Sequence, residues 1–311
     1  MKGPLFYSKI LLFGEYGIIK NSKGLSIPYN FYNGALKSAT DLTEKAAASN
    51  KSLLKLATYL DENAKPDLVV FNTPRLFKDI ANGMYFDSSI PQGYGVGSSG
   101  ALVAAIYDKY AEDKITVLEN LTRDKLLKLK QIFSYMESFF HGNSSGLDPL
   151  NSYLSLPILI HSKDNVETAG IPSQKQHENK GAVFLLDSGV VGETAPMVNI
   201  FMEKMKQDGF RTMLKNKFVK HTDACVEDFL SGNVTSLFSN IKQLSRTVLD
   251  HFKPMIPSQF HALWKQGIET NDYYLKLCGS GGGGYILGFA MDYEKAQKAL
   301  KDYQLEVVYH F

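Results

Sequence analysis

One stretch constrains the fold of this chain more than any other. It is Lys276-Leu277-Cys278-Gly279-Ser280-Gly281-Gly282-Gly283-Gly284, in which five of the last six residues are glycine. Each glycine loses more conformational freedom on folding than any other residue would. A run of them inside structure implies that a ligand or another backbone must come very close. The alternative is a disordered linker. Against that, Tyr273 to Cys278 and Tyr285 to Phe289 both read as strands and abut the run at its two ends.

The rest of the chain supplies elements for such a loop to sit among. Phe6 to Phe13 reads as a strand broken by Gly14. Leu42 to Leu60 reads as a helix, and Leu68 to Phe71 as a short strand. Pro91 to Ser99 is a glycine-punctuated loop, and a helix of small apolar residues follows from Ala101. Thr122 suits the N-cap of a further helix. Its apolar positions Leu126, Leu129, Phe133, Met136 and Phe140 form one stripe, and it ends at Gly142. Val183 to Leu186 restarts a strand. Helices are expected near 196–218, 221–231, 234–250, 258–269 and 292–302, and a last strand at Leu305 to Tyr309. Interleaved strands and helices predict an α+β (α/β two-layer) class. The domain boundary is placed in the polar loop Ser162 to Lys180, giving domains 1–178 and 179–311.

Composition excludes some partners. Of 311 residues, 34 are Lys or Arg and 32 Asp or Glu, a net charge of +2, so no broad field favours nucleic acid. Two cysteines without a CxxC pair exclude a disulfide framework and fit a reducing compartment. The apolar stretch Ile10 to Phe13 ends at Glu15 and is too short for a signal core or a membrane span. A cytoplasmic protein with no membrane partner is expected.

Four segments carry candidate chemistry. In Pro91-Gln92-Gly93-Tyr94-Gly95-Val96-Gly97-Ser98-Ser99-Gly100-Ala101, three glycines in five positions precede two serines where a helix begins. Free N–H groups and the helix dipole there make an anion site, and the hydroxyls suit phosphate or magnesium. Read alone, it is equally a flexible loop with a serine cap. No GKS or GKT follows, so it is not a Walker A loop. In Glu137-Ser138-Phe139-Phe140-His141-Gly142-Asn143-Ser144-Ser145-Gly146-Leu147-Asp148, Glu137 stands on the edge of the apolar stripe. A carboxylate buried there needs a partner such as a metal ion; read alone, it is equally a salt-bridged or an exposed edge position. His141 reads as a capping or packing histidine. Asp148 lies in a Gly-, Asn- and Ser-rich stretch that could hold it near an attacking hydroxyl, or it is a turn residue before Pro149. Finally, Lys9 lies in an apolar strand, where it is either exposed or buried against an anion.

In this order the segments resemble the GHMP kinases. The N-terminal Lys-x-x-x-x-Gly-Glu, the central Gly-x-Gly-Ser-Ser and the late glycine-rich loop are all present, from Lys9 to Gly284. Glu137 to Asp148 is most similar to the mevalonate kinases' Glu-x-x-x-His-Gly-Asn-Pro-Ser-Gly-x-Asp, with Ser144 in place of the proline. The resemblance implies two domains. The first is an N-terminal nucleotide-binding domain with a left-handed βαβ crossover, the second a C-terminal ferredoxin-like domain. It implies ATP and Mg2+ as cofactors and a small-molecule alcohol as substrate. The implied reaction converts mevalonate to 5-phosphomevalonate, in isoprenoid precursor synthesis. Asp148 and Lys9 would be catalytic, and Ser99 and Glu137 would hold the metal. Gly93, Gly95, Gly97, Ser98, Ser99, Gly100, Gly281 and Gly282 would surround the nucleotide. Glu15, Tyr16, Thr194, Gly279 and Ser280 would face the substrate. Some relatives form dimers, so a homodimer is admitted, although no exposed apolar stripe argues for one.

The sequence departs from the family at several positions. Tyr7-Ser8 replaces a Pro-Gly. Tyr16 replaces a histidine usual in mevalonate kinases, and Gly192 an arginine that many of them use for the substrate carboxylate. Cys278 and Ser280 stand where Thr and Ala are common. These changes keep open a phosphomevalonate, homoserine or sugar kinase, or a metabolite-binding protein of the same fold.

Overall fold

A computed structural model describes residues 4–118, 120–173 and 180–311. The elements run β1 (Phe6–Phe13), β2 (Gly24–Ser38), α1 (Glu44–Glu62), α2 (Thr73–Ala81), β3 (Met84–Ser88), α3 (Ser98–Tyr110), α4 (Arg123–His141) and α5 (Leu147–Leu154). They continue with β4 (Ile158–Ser162), β5 (Asn165–Thr168), β6 (Ala182–Asp187), α6 (Thr194–Lys204), α7 (Asp208–Met213), α8 (Lys220–Ser231) and α9 (Val234–His251). The last are α10 (His261–Thr270), β7 (Tyr274–Leu277), β8 (Tyr285–Ala290), α11 (Tyr293–Ala299) and β9 (Leu305–His310).

The chain divides into two compact units made of interleaved segments. One is Met1–Lys9, Ile27–Pro91 and Gly97–Leu156; the other is Ile10–Ser26, Gln92–Val96 and Pro157–Phe311. The division therefore falls within β1 and within β2. The expected boundary between residues 178 and 179 lies outside the described residues.

In the first unit the end of β2 pairs antiparallel with β3, from Gly34↔Ser88 to Ser38↔Met84. The buried Ser8 hydroxyl donates to the Tyr29 carbonyl at 2.7 Å. Helix α4 starts where Thr122 accepts a hydrogen bond from the Lys125 amide and stops at Gly142, as its sequence predicts. Its stripe Leu129, Phe133 and Met136 is fully buried. Phe133 meets Tyr107 of α3 edge-on at 5.1 Å, and Tyr107 meets Tyr153 of α5 at the same distance. Buried aromatic rings contribute most to a core like this, each such pair adding about 0.5–1.5 kcal/mol beyond its area. They fix α3, α4 and α5 as one block, and that block carries most of the chemistry described below.

The second unit has a four-stranded antiparallel sheet in the order β7-β8-β6-β9. In chain order β6 is followed by the helices α6 to α10, then β7 and β8, then α11 and β9, which is the β-α-β-β-α-β pattern of a ferredoxin-like domain with an enlarged first helical connection. Its strands β6, β7 and β8 are buried almost throughout, which explains their nearly continuous apolar sequences. In the same unit the start of β2 pairs with β4, and β4 with β5.

Three local expectations need correction. Residues 68–71 form no strand: the amides of Leu68 and Val69 both donate to the Lys65 carbonyl, closing a turn, and Phe71 makes only an isolated bridge to Ala111. The span 196–218 is not one helix. Turns at Lys206 and Gln207 separate α6 from α7, which runs into a π-helical turn at Leu214–Val219. Asp148 is not in a loop. Gly146, at φ 72°, starts α5 and puts Asp148 in its first turn, where Pro149 costs no hydrogen bond.

Candidate active site

Within the first unit, strand β1 brings Lys9 to the start of α5. Its ammonium lies 3.0 Å from Asp148 Oδ2. The lysine side chain is only 4% exposed while the aspartate is 39% exposed. The cation is thus enclosed and its partner carboxylate is open to a ligand. The lysine's stem runs along Gly97, where a Cβ would sit 3.0 Å from its Cγ. Lys9 is the buried, paired lysine of the two readings its sequence allowed.

Gly97, at φ 82°, starts α3 and leaves Ser98 and Ser99 in its first turn without a side-chain cap. The first amides of a thirteen-residue helix point outward and favour an anion. Gly100 is pressed against α5: a Cβ there would lie 2.8 Å from both the Asp148 carbonyl carbon and the Pro149 nitrogen. The first turn of α3 and the backbone of Asp148 are therefore in direct contact.

Glu137, one turn from the end of α4, is buried. Each of its oxygens accepts from a serine: Oε1 from Ser99 Oγ at 3.0 Å and Oε2 from Ser144 Oγ at 2.5 Å. Ser144 is itself fixed, accepting from the Gly146 amide while its carbonyl accepts from Ser134 Oγ. Ser99 Oγ also lies 3.2 Å from His141 Nε2. Burial first, and then the charge of Asp148, push the Glu137 carboxyl up to about 7, against the opposing pull of the two serines and Lys9.

Its unfolded-state value is near 4.5. The raised value means its contribution to stability is complete below pH 4.5 and is lost as pH climbs through 7. In metal-free protein, Glu137→Gln should therefore gain on the wild type between pH 5 and pH 8, by roughly 2–3 kcal/mol. Thermal unfolding at the two pH values measures this, and a difference that does not change with pH would contradict it.

Hard oxygen donors of this kind, a carboxylate and a hydroxyl beside a helix N-terminus, fit Mg2+. Among the described residues no group of three or more His, Cys, Asp and Glu is arranged to hold a metal.

The remaining expected residues lie in the second unit. Gly93 accepts from the Gly192 amide at 2.9 Å, and Gly95 lies against the Cys278 carbonyl. The late glycine run packs on backbone: a Cβ on Gly284, at φ 70°, would lie 2.5 Å from Tyr94 Cα. The amides of Gly282 and Gly284 donate to the Met255 and Val190 carbonyls. Gly279 and Gly281 lie in the same loop with positive φ. Ser280 Oγ is 3.4 Å from Thr194 Oγ1, at the start of α6.

Glu15 and Tyr16 are both buried. Glu15 pairs with Lys276, and the Tyr16 hydroxyl donates to the Ser280 carbonyl at 2.7 Å. Burial, and then the Glu15 charge, push that phenol above its usual range, so it remains a donor.

Sequence reasoning missed Ser144 and Lys276 as partners. Lys276, a lysine in an apolar strand, carried the same cue that singled out Lys9. Ser144 carried none beyond its departure from the family pattern.

The family model for the GHMP kinases N terminal domain matches residues 45–155. The fold is similar to that of Leishmania major mevalonate kinase, solved with R-mevalonate. Identity is 16%, the TM-score 0.61, and the match covers 97% of this chain and 93% of that one. It is similar also to Streptococcus pneumoniae phosphomevalonate kinase with phosphomevalonate and AMPPNP, at 13% identity and TM-score 0.63, covering 99% and 100%. Lactococcus lactis galactokinase with galactose matches at 11% identity and TM-score 0.62, covering 98% and 92%. A search of curated protein sequences returns no significant match. No helix of the described residues is long and apolar enough to cross a membrane.

Proposed function

From the premise that this chain has the GHMP kinase fold, we propose that it transfers the γ-phosphoryl group of ATP to a small-molecule alcohol, with mevalonate as the first candidate. The observation that carries this reading is the Lys9–Asp148 pair, at 3.0 Å, beside the open N-terminus of α3.

Members of the family are ATP-dependent kinases of alcohols, and the chemistry fits these residues. The backbone amides of Ser98, Ser99 and Gly100 bind the phosphate oxygens. Asp148, half exposed, accepts the proton of the attacking hydroxyl. The oxygen–phosphorus bond to the alcohol forms as the bond to the β-phosphate breaks, leaving ADP. Lys9 holds Asp148 in place and places a positive charge near the developing alkoxide. Ser99 and Glu137 would hold Mg2+, which supplies charge neutralisation on the phosphates when bound. Such catalysis consists mostly of positioning, which suits a site built on three helices locked by aromatic packing.

A second reading, another alcohol of the same reaction class, is favoured by Gly192. Where many mevalonate kinases have arginine, this glycine is packed 3.1 Å (from its would-be Cβ) against the carbonyls of Gly281 and Gly283. A side chain there would be tightly placed, and glycine offers none, so a carboxylate clamp from this position is absent. ADP release with mevalonate, phosphomevalonate, homoserine and galactose separates the two readings. Turnover with mevalonate supports the first, turnover with another supports the second, and ATP binding without any turnover contradicts the first and points to an alcohol outside the panel or to a metabolite-binding protein of the same fold.

A further inference from the structure

The buried ion pair between Glu15 and Lys276 is not used by the chemistry above. Glu15 Oε1 and Lys276 Nζ lie 2.5 Å apart, and their side chains are 5% and 3% exposed. Removing two charges from water is costly, and a pair of apolar residues would fill the space without that cost. What the pair holds is a loop with little stiffness of its own. Lys276 Nζ also donates to the Leu277 carbonyl at 2.8 Å, with only Cys278 between it and Gly279-Ser280-Gly281-Gly282-Gly283-Gly284. Tyr16, next to Glu15 and at φ 59°, donates its hydroxyl to the Ser280 carbonyl inside the loop. Its ring stacks on Phe201 at 4.6 Å. One dipeptide thus holds both the strand that enters the loop, through Lys276, and the loop itself, through Ser280.

We infer that Glu15 and Lys276 are positioning residues for the glycine-rich loop, and that Glu15 acts through this loop rather than by touching the alcohol. The inference rests on the kinase reading only for its effect on turnover; the effect on the loop does not need it. A glycine run has the largest conformational freedom to lose, so a fixed anchor at its start matters more here than in an ordinary loop. Ser280, one of the anchored residues, reaches Thr194 with its hydroxyl, so a shift of the anchor moves that contact too.

Hydrogen exchange followed by mass spectrometry on the full chain tests this, with Glu15→Gln, Lys276→Met and the double variant. Each single change should speed exchange in peptides spanning 277–285 at least tenfold, leaving peptides from α3 to α5 unchanged. Each should lower kcat/KM at least tenfold with the alcohol that turns over. The double variant should lose no more than either single, because all three remove one interaction. Should Lys276→Met fail to fold, the isosteric Glu15→Gln decides alone. Unchanged exchange in 277–285 would overturn the inference. So would additive losses, or a higher KM for the alcohol with the loop undisturbed, which would return Glu15 to the substrate. The exchange readout needs no turnover, so a failed kinase reading and a failed anchor are told apart.

Discussion

Asp148→Asn is expected to lower kcat by about 10³-fold, within the range that a positioned base contributes, while leaving nucleotide affinity within a few-fold of wild type. The substitution keeps the size of the side chain and can still meet Lys9, so α5 should hold its place. What it removes is the acceptor for the hydroxyl proton. The split between kcat and nucleotide binding is the informative part. Loss of both together would mean that Asp148 shapes the phosphate site through Gly100 instead of serving the alcohol. Steady-state kinetics with a nucleotide-binding titration gives both numbers.

The second large effect should come from Gly100→Ala. A methyl group there would lie 2.8 Å from the Asp148 carbonyl carbon and the Pro149 nitrogen, both backbone atoms that cannot swing aside. The helices α3 and α5 would have to separate. Overpacking of this kind costs roughly 1–3 kcal/mol. The functional loss should be larger in proportion, because the displaced residue is Asp148. A shift of an ångström at a reacting group costs about 10²-fold in rate. Gly209→Ala, inside α7 where nothing lies within 4 Å, is the control and should leave the rate unchanged while adding up to about 1 kcal/mol of stability. A Gly100→Ala protein with wild-type rate would show that α3 and α5 need not touch for the site to work.

How much of this was legible in the sequence varies by element. Strand β1, the capped helix α4 and the strands flanking the glycine run were read closely, because periodicity, cap and terminator agree in each. Strand β2 was not read. Pro28 and Gly34 look like breakers, yet Pro28 lies between the stretches that pair with β4 and with β3, where no hydrogen bond to those strands is lost. Helix α5 was hidden by the Gly, Asn and Ser that precede it, the last of which, Gly146, is its N-cap.

The pairing of Lys9 with Asp148 was implied by the family resemblance, since the two are far apart in sequence. The place of Glu137 on the edge of the apolar stripe left burial and exposure both open, and the structure buries it. The glycine run announced a close approach without saying to what. It packs on the backbone of Tyr94 and of Val190 to Gly192. Glu15 was placed with the substrate from its motif. Its burial against Lys276 depends on a contact across most of the chain, which no local pattern encodes.

The most direct measurement is phosphorus NMR of the full chain with magnesium-ATP and each alcohol of the panel, run beside Asp148→Asn. The account predicts a new phosphate-ester resonance with one alcohol, growing in step with ADP, and none in the variant. ADP accompanied only by inorganic phosphate, or an ester formed equally by Asp148→Asn, would contradict it.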